Sequence, residues 1–277
     1  MILETRNVCF QYSDGFQALK EVGIAIENGE FIGILGPNGC GKTTLFQTLN
    51  GLLRPSAGEI LIKGKDIREW PESELYKTVG LVFQNPDDQL FAPTVFEDVS
   101  YGAVNMGLGT PEINARVEQA LKTLNIWEYR NKPIHSLSFG QRKRVAVAGI
   151  LVMKPELLIL DEPTAGLDPL GISELMKLLR QAQKDLGLSV ILATHEIDLI
   201  PLYCDRAYVM EKGRIIMEGT PRQIFARPEA LRKSNLRMPR IGHLMEILKK
   251  EDHFDLNDTA ITIAQARQEL KKLQQNK

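Results

Sequence analysis

A glycine-rich segment with one lysine and two threonines carries the most specific chemistry in the sequence. It matches the pattern G-x-x-x-x-G-K-[ST] and consists of Gly36, Pro37, Asn38, Gly39, Cys40, Gly41, Lys42, Thr43 and Thr44. Glycines let backbone N–H groups approach an anion, and a helix that begins here adds a favourable dipole. The lysine supplies charge to the β- and γ-phosphates, and the threonine hydroxyl that follows can bind Mg²⁺. The segment, here called the phosphate segment, therefore predicts a nucleotide site.

Two consecutive acidic residues, Asp161 and Glu162, follow the apolar run Leu157–Leu160. In nucleoside triphosphatases an aspartate at the end of a strand holds the magnesium ion. A glutamate beside it is placed to take a proton from an attacking water. Two solvated carboxylates at a strand end are the alternative interpretation, and the phosphate segment makes the catalytic one the better prediction.

A helix is predicted to begin at Ser138, because a serine followed three residues later by Gln141 is a capping-box pattern. Arg142, Lys143 and Arg144 follow in the first turn, where cations oppose the helix dipole by about 0.3–1 kcal/mol each. Either these three side chains are simply solvated, or the helix start faces an anion. A nucleotide phosphate would serve as that anion.

Alternating strand and helix patterns supply the elements that must position these residues. Short apolar runs predict strands at 22–26, 31–35, 59–62, 79–83, 157–160 and 190–193, and a hairpin made of 207–210 and 214–218. Helical periodicity is visible in 115–124 and in 141–153. Strands that alternate with helices predict an α/β fold with a parallel sheet and helices on both faces.

The same patterns divide the chain into four segments. Residues 1–84 are predicted to form the first part of a nucleotide-binding core, 85–155 an inserted helical subdomain, and 156–225 the second part of the core. Residues 226–277 are predicted to form a small helical tail. Its last helix is predicted to span 263–273, after a capping-box pattern formed by Thr262 and Gln265.

Composition limits the classes of protein to which the chain can belong. Of 277 residues, 43% are apolar and 25% are charged, which is typical of a globular protein. The net charge of −1 lacks the basic excess of proteins that bind the DNA or RNA backbone. Neither a signal-peptide core nor an apolar run long enough to span a membrane is visible. We therefore expect any membrane role to come through a partner.

In this order, the motifs resemble those of the ATP-binding cassette (ABC) ATPases. The resemblance covers about residues 3–225 and rests on the phosphate segment, Gln84, residues 137–141, Asp161, Glu162, Asp168 and His195. It implies a P-loop NTPase (RecA-like) fold, with ATP and Mg²⁺ as cofactors. It also implies that two copies close head to tail around two ATP molecules.

The resemblance assigns a role to four further residues. Tyr12, which lies 24 residues before the phosphate segment, would stack on adenine. Gln84 would reach the magnesium ion and the attacking water, and His195 would contact the γ-phosphate. Asp168 would link the two ATP sites of the dimer.

The resemblance also implies that each site is shared between subunits. Ser138, Gly140 and Gln141 of one copy would complete the ATP site built on Lys42 of the other. One departure is Phe139, which stands where the family usually has a glycine. Since a residue with a Cβ does not adopt positive φ cheaply, we expect the local backbone or its hold on phosphate to differ.

Three longer segments indicate which branch of the ABC ATPases the chain resembles. Residues 83–91 resemble energy-coupling factor (ECF) importers, and residues 137–149 and 239–246 are similar to their cobalt and nickel branch. This resemblance implies a peripheral ATPase subunit at the cytoplasmic face of the cell membrane. Its implied partners are a second ATPase subunit (a second copy or a close paralogue), a membrane coupling protein and a substrate-capture protein, with no nucleic acid. The four histidines lack ligand-like spacing, so the cargo metal is not expected to find dedicated ligands here.

Two alternatives remain open from the sequence. The ATPase could serve a vitamin-type importer of the same family, or the chain could be a soluble cassette protein of DNA repair or translation. The second alternative is disfavoured, because such proteins would bring a long coiled coil between the half-sites or two cassettes in one chain. About a hundred residues separate Lys42 from Ser138, and the chain holds a single cassette.

Three further hypotheses concern residues outside the motifs or at their edge. Leu90 and Phe91 are predicted to line a groove for a cytoplasmic helix of a membrane partner, or else to be core residues of the helical subdomain. The tail from about Ile241 is predicted to pair with the second subunit, or else to pack on its own core. Cys40 is predicted to react with bulky thiol reagents, because a positive field favours the thiolate.

Overall fold

Strands and helices alternate along the computed structural model, which describes residues 1–256 and 260–275. Within this part of the chain the strands are β1 (Leu3–Gln11), β2 (Gln17–Val22), β3 (Ala25–Ile26), β4 (Phe31–Leu35), β5 (Ala57–Ile62), β6 (Lys65–Asp66), β7 (Val79–Val82), β8 (Leu157–Asp161), β9 (Ser189–Ala193), β10 (Arg206–Glu211) and β11 (Arg214–Gly219). The α-helices are α1 (Lys42–Asn50), α2 (Glu72–Thr78), α3 (Val95–Asn105), α4 (Thr110–Thr123), α5 (Phe139–Leu151), α6 (Pro169–Leu186), α7 (Ile200–Tyr203), α8 (Pro221–Phe225), α9 (Pro228–Lys233), α10 (Arg240–Lys250) and α11 (Ile263–Gln275).

A six-stranded sheet is the centre of the fold. Its strand order is β11-β10-β4-β9-β8-β7, and all neighbouring pairs are parallel except β10 and β11. Every residue of β4, β7, β8 and β9 is buried, as expected of strands that are covered on both faces. The sheet confirms the predicted α/β fold with a parallel core, and β10 and β11 confirm the predicted hairpin.

Alternating side chains of the sheet belong to two different hydrophobic cores. On β4, Phe31 and Leu35 face a core shared with α3, α4, α5 and α6. Ile32 and Ile34 face the opposite core, which contains α1 and the second sheet. This period of two is why a strand must read as a continuous apolar run here, since both of its faces are buried.

The carboxyl ends of the parallel strands meet at one edge of the sheet. The phosphate segment follows β4, Gln84 follows β7, Glu162 follows β8 and His195 follows β9. In open α/β sheets this edge is where ligands bind. The fold therefore brings the predicted site residues of four strands together, although His195 lies 159 positions after Gly36 in the sequence.

A second sheet is antiparallel, with the order β2-β1-β5-β6 and with β3 also paired to β1. The predicted strand 22–26 is wrong in its continuity, because β2 ends at Val22 and β3 begins at Ala25. Thr5 explains the break: its Oγ1 accepts a hydrogen bond from Ile24 N at 2.8 Å and donates to Val22 O at 3.1 Å. The hydroxyl thus replaces part of the backbone ladder.

The tail has a small core and an exposed apolar face. Met245, Leu256, Ala260 and Ala266 are buried together. The predicted cap of α11 is present in modified form, since Thr262 Oγ1 accepts from Gln265 N but the Gln265 side chain accepts from Ile261 N. Across residues 1–256 and 260–275, no helix combines the length and the apolar character needed to cross a membrane.

The exposed apolar face of the tail includes Ile263 and Leu270, which line one cavity on α11, and Ile263 is 73% exposed. If this face pairs with a second copy, aspartate at Ile263 and Leu270 should lower the dimer content without nucleotide, because charges would be buried in an apolar contact. Sizing chromatography measures the effect, with Gln268→Asp on the same helix as the matched control. An identical monomer–dimer equilibrium in all three proteins would mean that the tail only packs on its own core.

Candidate active site

The phosphate segment turns tightly from β4 into α1. Gly41, which precedes α1, has φ of 107°, a left-handed conformation that suits glycine. A Cβ on Gly36 would collide with the carbonyl oxygen of Met210 in the neighbouring strand and with Cys40 Sγ. Both glycines are therefore required by the path of the backbone, independently of any ligand.

The ammonium group of Lys42 lies inside this turn. Its Nζ donates to the carbonyl oxygens of Gly36 at 2.9 Å and Pro37 at 3.2 Å. It is also 3.9 Å from Glu162 Oε1, and both side chains are largely buried. A positive charge thus lies next to the backbone N–H groups at the start of α1, where an anion is favoured by both.

Thr43 and Asp161 join the phosphate segment to the end of β8. Thr43 Oγ1 donates to Asp161 Oδ2 at 2.6 Å. Burial of the Asp161 carboxyl raises its pKa, and the neighbouring Glu162 charge adds to this, whereas the hydrogen bond from Thr43 opposes it. A buried carboxylate facing a hydroxyl is a pair of hard oxygen donors that fits Mg²⁺, which prefers such ligands and would relieve the cost of the buried charge.

Glu162 and His195 form the adjacent wall. Glu162 Oε2 is 2.8 Å from His195 Nδ1. The Glu162 backbone has φ of 45°, and a left-handed residue with a Cβ costs about 1–3 kcal/mol, so it persists only where its surroundings hold it. Such strain is concentrated at functional sites. A carboxylate that is only 8% exposed, beside an imidazole, can accept or hold a proton at this wall.

A cavity of about 600 Å³ brings these groups together. Its lining includes most of the predicted nucleotide-binding and catalytic residues, which are Asn38, Gly39, Gly41, Lys42, Thr43, Thr44, Gln84, Glu162 and His195. Gly36, Pro37, Cys40 and Asp161 do not line it. A cavity of this volume is within the range of small-molecule and cofactor sites.

The aromatic side chain in this cavity is Phe16 and not the predicted Tyr12. The Tyr12 hydroxyl and Thr44 Oγ1 are 2.9 Å apart, and the Tyr12 ring meets the Phe10 ring edge to face. Phe16 reaches the cavity because a tight turn, with a hydrogen bond from Tyr12 N to Phe16 O, folds it back. The turn residues Asp14 and Gly15 between them were the available signal for this placement.

A second cavity, of about 490 Å³, holds four more of the predicted residues. Ser138, Gly140, Gln141 and Asp168 line it, and none of them lines the Lys42 cavity of the same chain. The predicted capping box is present, because Ser138 Oγ accepts from Gln141 N and Gln141 Oε1 accepts from Ser138 N. Asp168 Oδ1 accepts from Gly171 N at 2.7 Å and so caps α6.

The expected backbone disturbance at Phe139 is wrong. Phe139 is the first residue of α5, where a right-handed helical conformation needs no glycine. Its ring lies against Gly166, where a Cβ would come within 2.8 Å of Phe139 Cε1. The space that a glycine at position 139 would leave is therefore filled by the ring, and the glycine requirement falls on Gly166.

The three basic residues of α5 are not simply solvated, because each has a partner in the same chain, and Arg144 also lines the second cavity. Arg142 Nε is 2.9 Å from Asp87 Oδ1, and Arg144 Nη2 is 2.5 Å from Glu174 Oε2. Lys143 is buried. Carboxylates and carbonyls of the same chain thus bind all three cations, and the prediction that the start of α5 faces a nucleotide phosphate stays a prediction.

The predicted reactivity of Cys40 is also wrong. The side chain is buried behind the turn, and burial raises the pKa of the thiol, against the opposing effect of Lys42. The thiolate is the reactive form, so a raised pKa and burial both protect the thiol.

Within residues 1–256 and 260–275, no group of three or more His, Cys, Asp or Glu side chains is arranged to hold a metal ion.

Comparisons with known proteins agree with this geometry. The family model described as ABC transporter matches residues 19–165. The chain is 55% identical over 268 residues to the energy-coupling factor transporter ATP-binding protein EcfA2 of Clostridium perfringens, covering 96% of this chain and 94% of that protein. These matches span far more than the motifs themselves.

Solved structures show the same fold. The structure of CbiO1 from Clostridium perfringens, described as part of the ABC transporter complex CbiONQ, has a TM-score of 0.78 and 55% identity, covering 89% of this chain and 99% of that one. A dimeric ATP-binding cassette in a post-hydrolysis state, bound to ADP and phosphate, has a TM-score of 0.71 and 29% identity, covering 80% of this chain and 99% of that one. The chain therefore belongs to the ABC transporter family, as an ATP-hydrolysing component of the energy-coupling factor type.

Proposed function

We propose that the chain is the ATPase subunit of an ECF importer and that its ATP hydrolysis drives uptake of a transition-metal ion, cobalt or nickel. The observation that carries the ATPase role is the buried Glu162 carboxylate, 2.8 Å from His195 at the wall of the Lys42 cavity. The cargo is supported by similarity to CbiO1. The name of EcfA2 specifies no cargo, so a vitamin importer is the alternative outcome of the test below.

ATP would bind with its phosphates over the phosphate segment, where Lys42 and the N–H groups of the α1 start supply positive charge. Thr43, Asp161 and Gln84 would hold Mg²⁺, which neutralises charge on the β- and γ-phosphates when it is bound. The adenine would lie against the Phe16 ring, while Tyr12 holds the Thr44 hydroxyl at the base of the cavity.

Glu162 would act as the general base that takes a proton from the attacking water. His195 would contact the γ-phosphate and hold the Glu162 side chain through its Nδ1 atom. The cavity of one subunit lacks Ser138, Gly140 and Gln141. A second ATPase subunit, arranged head to tail, would add these three residues and Asp168, in the manner suggested by the dimeric cassette.

An exposed aromatic pair on the helical segment 85–155 would bind the membrane coupling protein. Phe91 is 65% exposed and Tyr101 is 51% exposed, and their rings meet edge to face. Leu90, in contrast, packs against the larger core. The loop is fixed because Asp98 Oδ2 accepts hydrogen bonds from Phe91 N and Ala92 N at 2.9 Å each.

This pair suits a short cytoplasmic helix that lays its apolar face on it. A membrane protein would present such a helix, since it cannot leave backbone groups unpaired in lipid. The subunit would thus be peripheral at the cytoplasmic face of the membrane, held there by the coupling protein. A substrate-capture protein would complete the importer.

Replacing Glu162 with glutamine should leave ATP affinity unchanged and lower turnover by about 10²–10⁴, the usual contribution of a general base. Glu156→Gln is the matched control, because Glu156 lies just before the first residue of β8 and pairs with Lys63 on the surface. A steady-state ATPase assay with the purified complex, together with ATP binding at equilibrium, measures both quantities. The control should keep wild-type turnover, whereas turnover of Glu162→Gln within a few-fold of the wild type would contradict the assignment of Glu162.

The same variant tests the cargo. Uptake of radioactive Co²⁺ by cells that depend on the importer should fall with the turnover of Glu162→Gln, and excess Ni²⁺ should compete if nickel shares the route. Uptake of cobalt that is equal in cells with wild-type and variant subunits would exclude a cobalt importer. A vitamin whose uptake alone depends on Glu162 would then identify the other branch.

Phe91→Asp should reduce recovery of the membrane coupling protein at least about tenfold, because a charge would replace an apolar contact. The isolated subunit should stay folded and keep its nucleotide binding, since the ring is exposed. Leu202→Asp, at another exposed leucine (61% exposed), is the matched control and should leave assembly unchanged. Wild-type assembly of Phe91→Asp would place the docking site elsewhere.

A further inference from the structure

Lys143 on α5 forms hydrogen bonds with two residues that are distant from it in sequence. The residue is 4% exposed, yet it carries an ammonium group. Its Nζ donates to Gln84 O at 3.0 Å and to Glu162 O at 3.1 Å. Both acceptors are main-chain carbonyls of residues at the ATP cavity, 59 and 19 residues away in sequence.

The two carbonyls lie beyond the last backbone pair of the sheet. The ladder between β7 and β8 ends with the pair Val82 and Leu160. Gln84 and Glu162 both lie two residues beyond that pair, in the segments that follow these neighbouring strands. The Lys143 ammonium therefore joins the two chain segments just past the point at which backbone pairing stops.

The hydrogen bond to Glu162 O acts on a strained residue. Glu162 has φ of 45°, and this conformation persists only if its surroundings determine it. Glu162 O accepts from Ala165 N at 3.1 Å and from Lys143 Nζ at 3.1 Å. The two donors together fix the peptide plane that follows Glu162, and thereby the direction in which its side chain leaves the backbone.

Phe139 shields the ammonium group. The Lys143 Nζ lies 5.4 Å from the centroid of the Phe139 ring, one helical turn earlier on α5. A cation over an aromatic face is favourable, and more so when water is excluded. Burial lowers the pKa of Lys143 to about 8, and the charges of Glu162 and Asp161 act in the opposite direction. The Lys143 ammonium group is therefore buried next to Glu162 although burial of a charge is unfavourable.

We infer that Lys143 is a positioning residue for ATP hydrolysis, which holds the main chain of Glu162 and Gln84 and ties α5 to both. The inference rests on the proposed role of Glu162 as general base. Lys143 does not line the Lys42 cavity, so its loss should leave ATP binding intact. The Glu162 side chain would lose its fixed direction, and turnover would fall without a matching loss of affinity.

Two substitutions separate hydrogen bonding from packing. Lys143→Met fills a similar volume without a donor, and we expect turnover to fall at least about tenfold, with the ATP dissociation constant within about twofold of the wild type. Lys143→Gln keeps an amide donor on a shorter side chain, and we expect an intermediate turnover. Turnover of Lys143→Met equal to or above that of Lys143→Gln would overturn the inference, because a hydrogen-bond donor at this position would then make no difference to hydrolysis.

A double-mutant cycle shows whether Lys143 acts through Glu162. In the Glu162→Gln background, either Lys143 variant should change the residual turnover by no more than about twofold, because the group that it positions is already absent. The same factor of loss in both backgrounds would contradict the inference. If the methionine variant does not fold, the glutamine variant carries the cycle alone.

The cycle also separates this inference from the proposed function. Normal turnover of Glu162→Gln by itself would reject Glu162 as the base, and the inference would fall with it. A large loss in Glu162→Gln with normal turnover in both Lys143 variants would keep the base and reject Lys143 as its positioning residue.

Discussion

The hydrogen bond from Thr43 Oγ1 to Asp161 Oδ2 is the contact on which the rest of the site depends. It joins the phosphate segment after β4 to the acidic pair after β8, with β9 between the two strands. Such a contact is possible only because β4, β9 and β8 run in the same direction, so that their carboxyl ends share an edge. We propose that this pair of oxygens is the magnesium site of the ATPase.

Continuous apolar runs were sufficient to predict the strands of the parallel sheet, because those strands are buried on both faces. The phosphate segment and the Asp161–Glu162 pair were predictable from local patterns at strand ends, whereas Gln84 and His195 were implied only by the resemblance to the family. Phe16 was missed although a turn signal precedes it, and the contacts of Lys143 were not predictable. Lys143 binds carbonyls of the segments that follow β7 and β8, which are distant from it in sequence. The break between β2 and β3 was missed because it depends on the Thr5 side chain of a different strand.

Polar side chains connect the loop after β7 to α5. Gln89 accepts from Phe83 N and donates to Ala146 O, and Lys143 donates to Gln84 O. The exposed Phe91 and the cavity lined by Ser138 therefore belong to one connected part of the structure, a framework that contacts the catalytic wall directly. A partner bound at Phe91 would press on the same framework that holds Glu162.

Titration of the chain with Mn²⁺ in the presence of saturating ADP tests most directly whether Thr43 and Asp161 hold the metal ion. Electron paramagnetic resonance measures the free Mn²⁺. If the Thr43–Asp161 pair is the metal site, Asp161→Asn should weaken Mn²⁺ binding by about tenfold or more, because a carboxylate ligand is lost from a site of hard oxygen donors. ADP affinity in the presence of a chelator should be unchanged. Equal Mn²⁺ affinities for the wild type and Asp161→Asn would contradict the account.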